Sequence, residues 1–379
     1  MRRIYLDYNA TTPILPEVRE AMQPFLAEHF GNPSSDHSLG RACGEAISDA
    51  REQLAALIGA DADEIVFTGG GTEANNAAIK GVFFDKKNFL SGHMVISEIE
   101  HPATTVPARW LAEHGVRLTV VPCDREGLVD PDDVRKAIEP DTRLVSIMLA
   151  NNEVGTIQPI ADIATICREK NVLSHTDAAQ AVGKIPVDVH ELGVDMLSIA
   201  AHKLYAPKGI GALFVRESVD LESLLHGASH ERGMRAGTEN TPYIVGLGKA
   251  ARLAANRLAD APWSSDRRNQ LHDQLKTHLD DNVTTNVQLE SCLPNTLSVS
   301  FRNITGTALL ESAPEVCAST GAACHSGVSR VSATLAAMQI DREQALGTVR
   351  LSTGVFTSEE DVTHAAHFLS NAWSRLQDS

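Results

Sequence analysis

The chain has 379 residues, a length that suits two domains, or one large domain with a smaller partner, rather than one minimal domain. Apolar residues make up 43% and charged residues 22%, so a sizeable core can be buried and wholesale disorder is excluded. With 33 Lys+Arg against 49 Asp+Glu the formal charge is −16, which argues against a non-specific nucleic-acid binder and against attraction to anionic membranes.

The opening MRRIYLDYNATTP carries two arginines with no long apolar stretch behind them, so no signal peptide is expected. No apolar run approaches the ~20 residues a membrane span needs. Residues 41–58 show apolar spacing near the helical period with charges opposite, which predicts an amphipathic helix. EIVFTGGGTEANNAAIKGVFF then reads as a short strand, a glycine turn and a helix. HMVIS, RLTVVPC, RLVSIMLA, NVLSHTD, VDMLSIA and GALFV are apolar runs of strand length, with helical patterns between them at 103–114, 131–139 and 159–170. This alternation predicts a mostly parallel sheet with helices on its faces. After about residue 255 the pattern changes to helices at 264–280 and 359–376 with short strands TLSVSF and TVRLS between them, a smaller α+β unit. The expected division is 15–255 for the large domain, and 1–14 with 256–379 for the small one.

Two segments carry chemistry. Gly69, Gly70, Gly71 and Thr72 lie between a predicted strand and a predicted helix, where free backbone N–H groups and a hydroxyl suit a phosphate. A tight turn with Thr72 as helix cap explains them equally well. In HTDAAQ, Asp177 falls just past the carboxyl end of a strand, and VDMLSIA runs into His202 and Lys203 at the same edge if the strands are parallel. A lysine to form a Schiff base, a carboxylate to keep a pyridine nitrogen protonated and a phosphate cradle have one economical explanation, pyridoxal 5'-phosphate.

The ordered strings LDYNATTP, FGNPSS, FTGGGTEANN, IEHPA, MLANNEVGTIQP, HTDAAQAVGK, AHKLYAPKG, ERGMRAGTENTP, LPNTLSVSF, GAACHSG and VRLSTG resemble those of the cysteine desulfurase and selenocysteine lyase family over nearly the whole chain. That resemblance implies fold type I of the pyridoxal-phosphate-dependent transferases, shared with class V aminotransferases. It implies Lys203 as the Schiff-base lysine and base for the substrate Cα proton, Asp177 as partner of the pyridinium, and Gln180 and Asn152 as hydrogen-bond partners of the ring oxygen. His101 is implied to stack on the ring, and Gly71, Thr72 and His202 to hold the phosphate, with Thr238 reaching over from the second subunit of a homodimer. Arg350, Asn152 and Asn9 are implied to line the substrate site, Arg350 on the carboxylate.

The chain departs from the pattern at three alanines. Ala200 stands where a phosphate-binding serine is common, and Ala201 and Ala206 stand where glycines are common. Ser198 is not assumed to replace the missing hydroxyl, and HGASHE at 226–231 stands where GGGQE-like strings are usual.

Six cysteines include no CxxC pair, so no metal site is expected, and the thiols are expected to be reduced in a cytoplasmic protein. Cys324, among small residues in TGAACHSG, is the expected catalytic thiol, and Cys43, Cys123, Cys167, Cys292 and Cys317 read as structural. The string GAACHS places selenocysteine lyase, acting on L-selenocysteine to leave L-alanine, first. The alternative is a cysteine desulfurase that takes sulfur from L-cysteine as a persulfide on Cys324, with an acceptor protein possible. A transaminase of the same fold ranks third, since it has no need of a loop cysteine.

Overall fold

The computed structural model describes residues 3–85, 89–260, 265–320 and 331–378. Twelve strands occur among them: β1 (Ile4–Tyr5), β2 (Ile65–Thr68), β3 (His93–Ser97), β4 (Arg117–Val121), β5 (Thr142–Ser146), β6 (Leu173–Asp177), β7 (Met196–Ala200), β8 (Gly211–Val215), β9 (Val283–Thr285), β10 (Thr296–Phe301), β11 (Val316–Cys317) and β12 (Thr348–Ser352). Seven form one sheet in the order β2-β8-β7-β6-β5-β3-β4. All its pairings are parallel except the two made by β8, which runs antiparallel to both neighbours. β2 and β7 therefore point the same way, and the carboxyl ends of β2, β3, β5, β6 and β7 share one edge.

Most strands of the sheet bury apolar residues on both faces, while β6 buries Ser174, His175 and Thr176. Phe67, Val95, Val145, Leu197 and Phe214 belong to one buried cluster, while their neighbours Val66, Met94, Leu144, Met196 and Leu213 belong to another. Alternation along each strand sends these to opposite faces, so helices must cover both. The result is the α/β fold with a mostly parallel central sheet that the sequence predicts.

The predicted helices appear as Ser38–Ile58, Gly71–Phe83, Pro102–Glu113, Pro131–Ala137, Ile160–Glu169, Asp266–Leu279 and Glu359–Gln377. The first begins ahead of its apolar repeat because the His37 ring accepts the Gly40 N–H and caps it. Two further helices of more than ten residues escape the periodicity argument. Pro16–Ala27 buries only Val18 and Met22. Thr241–Asp260 buries a face made largely of small residues, with Ala250, Ala251 and Ala254 beside Ile244 and Leu247.

A second, antiparallel sheet has the order β12-β10-β9, and β1 pairs in parallel with β11. Ile4 and Leu6 are buried with Leu271, Leu297, Val349 and Leu369 in a core of their own. This shared core supports grouping residues 1–14 with 256–379 as the small domain beside 15–255, a division we propose. Among the described residues no helix is long and apolar enough to cross a membrane.

Candidate active site

A cleft of about 550 Å³ opens at the carboxyl edge of the large sheet. Its lining brings together Asn9, Gly71, Thr72, His101, Asn152, Asp177, Gln180, His202, Lys203 and Arg350. Two sequence-predicted residues are not among them. Thr238 is exposed and outside its own chain's cleft, and Cys324 lies outside the described residues. Ser319, five residues before Cys324 in sequence, does line the cleft.

Asp177 ends β6, in parallel register with Ser198 of β7, and Lys203 closes the 3-10 turn that follows β7. The Asp177 carboxylate accepts from Asn75 Nδ2 at 2.7 Å and from the Ala179 N–H at 2.9 Å. Burial lowers the Lys203 amine to about 8, with Arg350 lowering it further and Asp177 and Asp7 opposing. His101 caps the helix Pro102–Glu113: its Nδ1 accepts the Ala103 N–H at 3.1 Å. That bond requires an unprotonated Nδ1, so Nε2 holds the ring proton. Burial and the nearby Lys203 lower the His101 pKa, which keeps the ring neutral.

The residues fit a pyridoxal phosphate. The helix Gly71–Phe83 starts with no side-chain cap, so Thr72 is not the N-cap that the alternative to a phosphate cradle supposed; Gly70 holds that position. Uncapped N–H groups at a helix start suit an anion. Gly70 has φ +148°, a conformation that favours glycine. A Cβ on Gly71 would lie 3.0 Å from the Ala200 Cβ, so the small pair Gly71 and Ala200 keeps that wall open. The Glu73 carboxylate beside the cradle is tied to Arg235 Nε at 3.0 Å and to the Gly69 N–H at 3.0 Å. Ser198 does not replace the hydroxyl missing at Ala200, because its Oγ sits 2.9 Å from His175 Nε2 and outside the cleft lining. Burial lowers the His202 ring to about 4, aided by Lys203 and Lys208, so it is a neutral hydrogen-bonding group near neutral pH.

On the opposite wall, Arg350 of β12 donates from Nη2 to Asp7 at 2.7 Å and from Nη1 to the Asn152 carbonyl at 2.8 Å. Its Nε is buried and has no partner among the described residues. A guanidinium held on two sides with an unsatisfied N–H is suited to a carboxylate.

Asn9 differs from a free donor. Its Nδ2 donates to Thr296 Oγ1 and toward the Asn152 carbonyl, and its Oδ1 accepts from Lys184 and Asn295. It joins the N-terminal segment to both sheets under the cleft.

Sequence reasoning left Asn75, Glu100, Asp7 and Lys184 unassigned. Asn75 lies one helical turn past Gly71, a polar residue on an otherwise apolar buried face, and that position was the available signal. Glu100 accepts from Ser97 Oγ at 2.6 Å and the Met148 N–H at 2.8 Å, and burial raises its carboxyl to about 8. Nothing in the sequence marks it except its place before His101.

The segment carrying Thr238 is anchored at Glu231, the last residue of the string HGASHE. Its carboxylate accepts from Arg51 Nη1 and Nη2 at 2.7 and 2.8 Å and from the Phe67 N–H at 2.9 Å. Glu231 and Arg232 both adopt positive φ, +44° and +55°. Glu231→Ala leaves the Arg51 guanidinium and the Phe67 N–H without their buried partner and a positive-φ turn without its anchor, so a loss of about 3 kcal/mol is expected, read as a lower thermal midpoint. An unchanged midpoint would show that the anchor contributes nothing.

A family model described as "Aminotransferase class-V" matches residues 4–364. The chain belongs to the class-V aminotransferase family. Cysteine desulfurase IscS of Dictyoglomus turgidum is 45% identical, with 99% of this chain and 96% of the relative aligned. Cysteine desulfurase IscS of Methanosarcina thermophila is 42% identical over 100% of this chain and 93% of the relative. Among solved structures, a "NIFS-LIKE PROTEIN" superposes with a TM-score of 0.89 at 37% identity, covering 100% of both chains. "SspA in complex with cysteine" superposes with a TM-score of 0.82 at 36% identity, covering 93% of this chain and 99% of that one. This class-V member is a pyridoxal-phosphate-dependent enzyme. The relatives favour the desulfurase alternative of the sequence reading over selenocysteine lyase, whose support was the string GAACHS and, more weakly, GTENTP at 237–242.

Proposed function

We propose that this enzyme is a cysteine desulfurase that converts L-cysteine to L-alanine and holds the sulfur as a persulfide on Cys324. The observation that carries the reading is the convergence of Lys203, Asp177, the glycine cradle and Arg350 on one cleft. The cysteine-bound relative and the desulfurase names support L-cysteine as substrate.

Bound pyridoxal phosphate supplies an electron sink for the pair left at the substrate Cα. Arg350 holds the substrate carboxylate with the N–H groups that Asp7 and the Asn152 carbonyl leave free, Nε and the second hydrogen of each Nη. Lys203 Nζ takes the Cα proton, a task suited to an amine of lowered basicity. Asp177, steadied by Asn75 and the Ala179 N–H, stabilises a positive ring nitrogen. His101 moves protons only at Nε2, since Nδ1 is engaged. The Cys324 thiolate attacks the substrate sulfur. An S–S bond forms, the Cβ–S bond breaks, and its electron pair stays with Cβ, which gains a proton. Cysteine plus enzyme thiol thus gives alanine plus enzyme persulfide with no external oxidant.

The exposed position of Thr238 supports its donation to the site of a second copy, in a homodimer. The free thiols among the described cysteines support a cytoplasmic location. A sulfur acceptor, either a protein or a small thiol, is part of the reading, because the persulfide must be discharged each cycle.

Purified holoenzyme given L-cysteine with a thiol reductant is expected to release alanine and sulfide in equal amounts. Turnover of L-selenocysteine alone would replace this reading with selenocysteine lyase. Turnover that requires a keto acid would replace it with a transaminase.

A further inference from the structure

We propose that Lys184 is a positioning residue that fixes which end of the Gln180 amide faces the cofactor cleft. The inference rests on the cleft being the pyridoxal phosphate site and deepens that reading.

Lys184 is a buried amine to which the proposed chemistry gives no task. It is 4% exposed, and its Nζ lies 2.9 Å from Gln180 Oε1 and 3.0 Å from Asn9 Oδ1. Both partners are neutral amide oxygens rather than carboxylates. The charges acting on it are the cations Lys203 and Arg350, and these with burial push its basicity well down. A buried amine without a counter-anion is costly, so its retention calls for a task.

The geometry supplies one. Either end of a glutamine side chain can in general face a ligand, because the amide oxygen and nitrogen have nearly the same shape. Lys184 removes that freedom together with the Asn9 carbonyl, since Nζ donates to Gln180 Oε1 on one side and the carbonyl, which can only accept, takes Nε2 on the other. Gln180 Oε1 is therefore turned to Lys184, and Nε2 donates one hydrogen to the Asn9 carbonyl at 3.0 Å. One Nε2 hydrogen is left, and Gln180 lines the cleft. The only polarity Gln180 can present there is that of a donor, which suits a ring oxygen bearing negative charge. Asn9 cannot turn to release the arrangement, because its Oδ1 also accepts from Asn295 Nδ2 at 3.1 Å and its Nδ2 donates to Thr296 Oγ1 at 2.8 Å. Without the Lys184 amine, Gln180 Oε1 loses its donor, and the Asn9 carbonyl alone opposes the rotation that would present Oε1, an acceptor, to the same oxygen.

The test compares wild-type holoenzyme with Lys184→Met and Lys184→Gln, each with and without Gln180→Ala. The readouts are the dissociation constant for pyridoxal phosphate by dialysis and the pH midpoint of the bound cofactor's visible band. Lys184→Met is expected to weaken cofactor binding about tenfold, the worth of one hydrogen bond to a charged group, and to move the band's midpoint. Lys184→Gln, which keeps an amide donor, is expected to fall between. In the Gln180→Ala background the Lys184 variants are expected to change either readout by no more than roughly twofold. Full-sized effects persisting without Gln180 would overturn the proposal, as would a folded Lys184→Met protein with wild-type affinity and midpoint. Should the Met protein not fold, the Gln variant carries the same comparison. A wild type that takes up no pyridoxal phosphate would strike the functional reading instead.

Discussion

Lys203→Ala is expected to lower alanine formation from L-cysteine by about a thousandfold or more, the scale of losing a positioned acid–base group. The variant should also hold pyridoxal phosphate without a borohydride-fixable bond, which mass spectrometry of the Lys203 peptide would reveal in wild type alone. Retention of activity within roughly tenfold would move the covalent role elsewhere. The environment of Lys203 adds a sign that activity alone does not. Burial lowers its amine from the usual 10.5 to about 8 in the folded chain. Between those values the unfolded chain binds the proton and the folded chain does not, so this group's contribution to stability rises with pH across that window. Below about 8 both states hold the proton and the folded state bears the full cost of a poorly solvated ammonium. The cofactor-free Lys203→Ala protein should therefore melt above cofactor-free wild type at pH 7, and the gap should close as pH rises past that window. A gap independent of pH would mean that the amine is not destabilised by its surroundings. A side chain whose removal stabilises the fold but ends turnover is retained for chemistry.

The parts of this site that were legible in sequence are those fixed by backbone position. Asp177 and Lys203 follow apolar runs, and parallel pairing of β6 with β7 places residues after both strands at one edge. The glycine turn was readable because a strand before it and a helix after it leave uncapped N–H groups. Partners chosen by side-chain direction were not readable. Asn75 touches Asp177, and Lys184 touches Asn9, across contacts that no local spacing encodes. Asp7 meets Arg350 through a pairing of the chain's first strand region with its last strand, so only tertiary structure reveals it. The helix Thr241–Asp260 hid for a different reason: its buried face is largely alanine, which gives a weak apolar stripe. Selenium against sulfur is a third kind of problem, since that preference rests on one short string around Cys324 while the relatives speak through the whole chain.

Cys324→Ala is expected to abolish sulfur transfer from L-cysteine, by about a thousandfold or more, because none of the described thiols lines the cleft. Cys43, Cys167 and Cys292 are buried, and none of the five described cysteines lines the cleft. Burial raises Cys123 and Cys292 to about 11 and Cys167 to about 12. At pH 7 a thiol near 11 is thiolate on the order of one part in ten thousand, and only the thiolate attacks sulfur. Cys43 Sγ donates to the His29 carbonyl at 3.3 Å, and Cys317 is built into β11 against β1. Single replacements of these five should therefore leave persulfide formation near wild type. Mass spectrometry after one turnover should find the extra sulfur on the Cys324 peptide in wild type and nowhere in Cys324→Ala. Selenium provides the internal control, since a selenol is more acidic than a thiol and the C–Se bond is weaker. Its release from L-selenocysteine needs less help from a nucleophile and should fall less in the same variant. Equal losses on both substrates would mean that Cys324 serves a step common to them, such as proton delivery, rather than attack on the chalcogen.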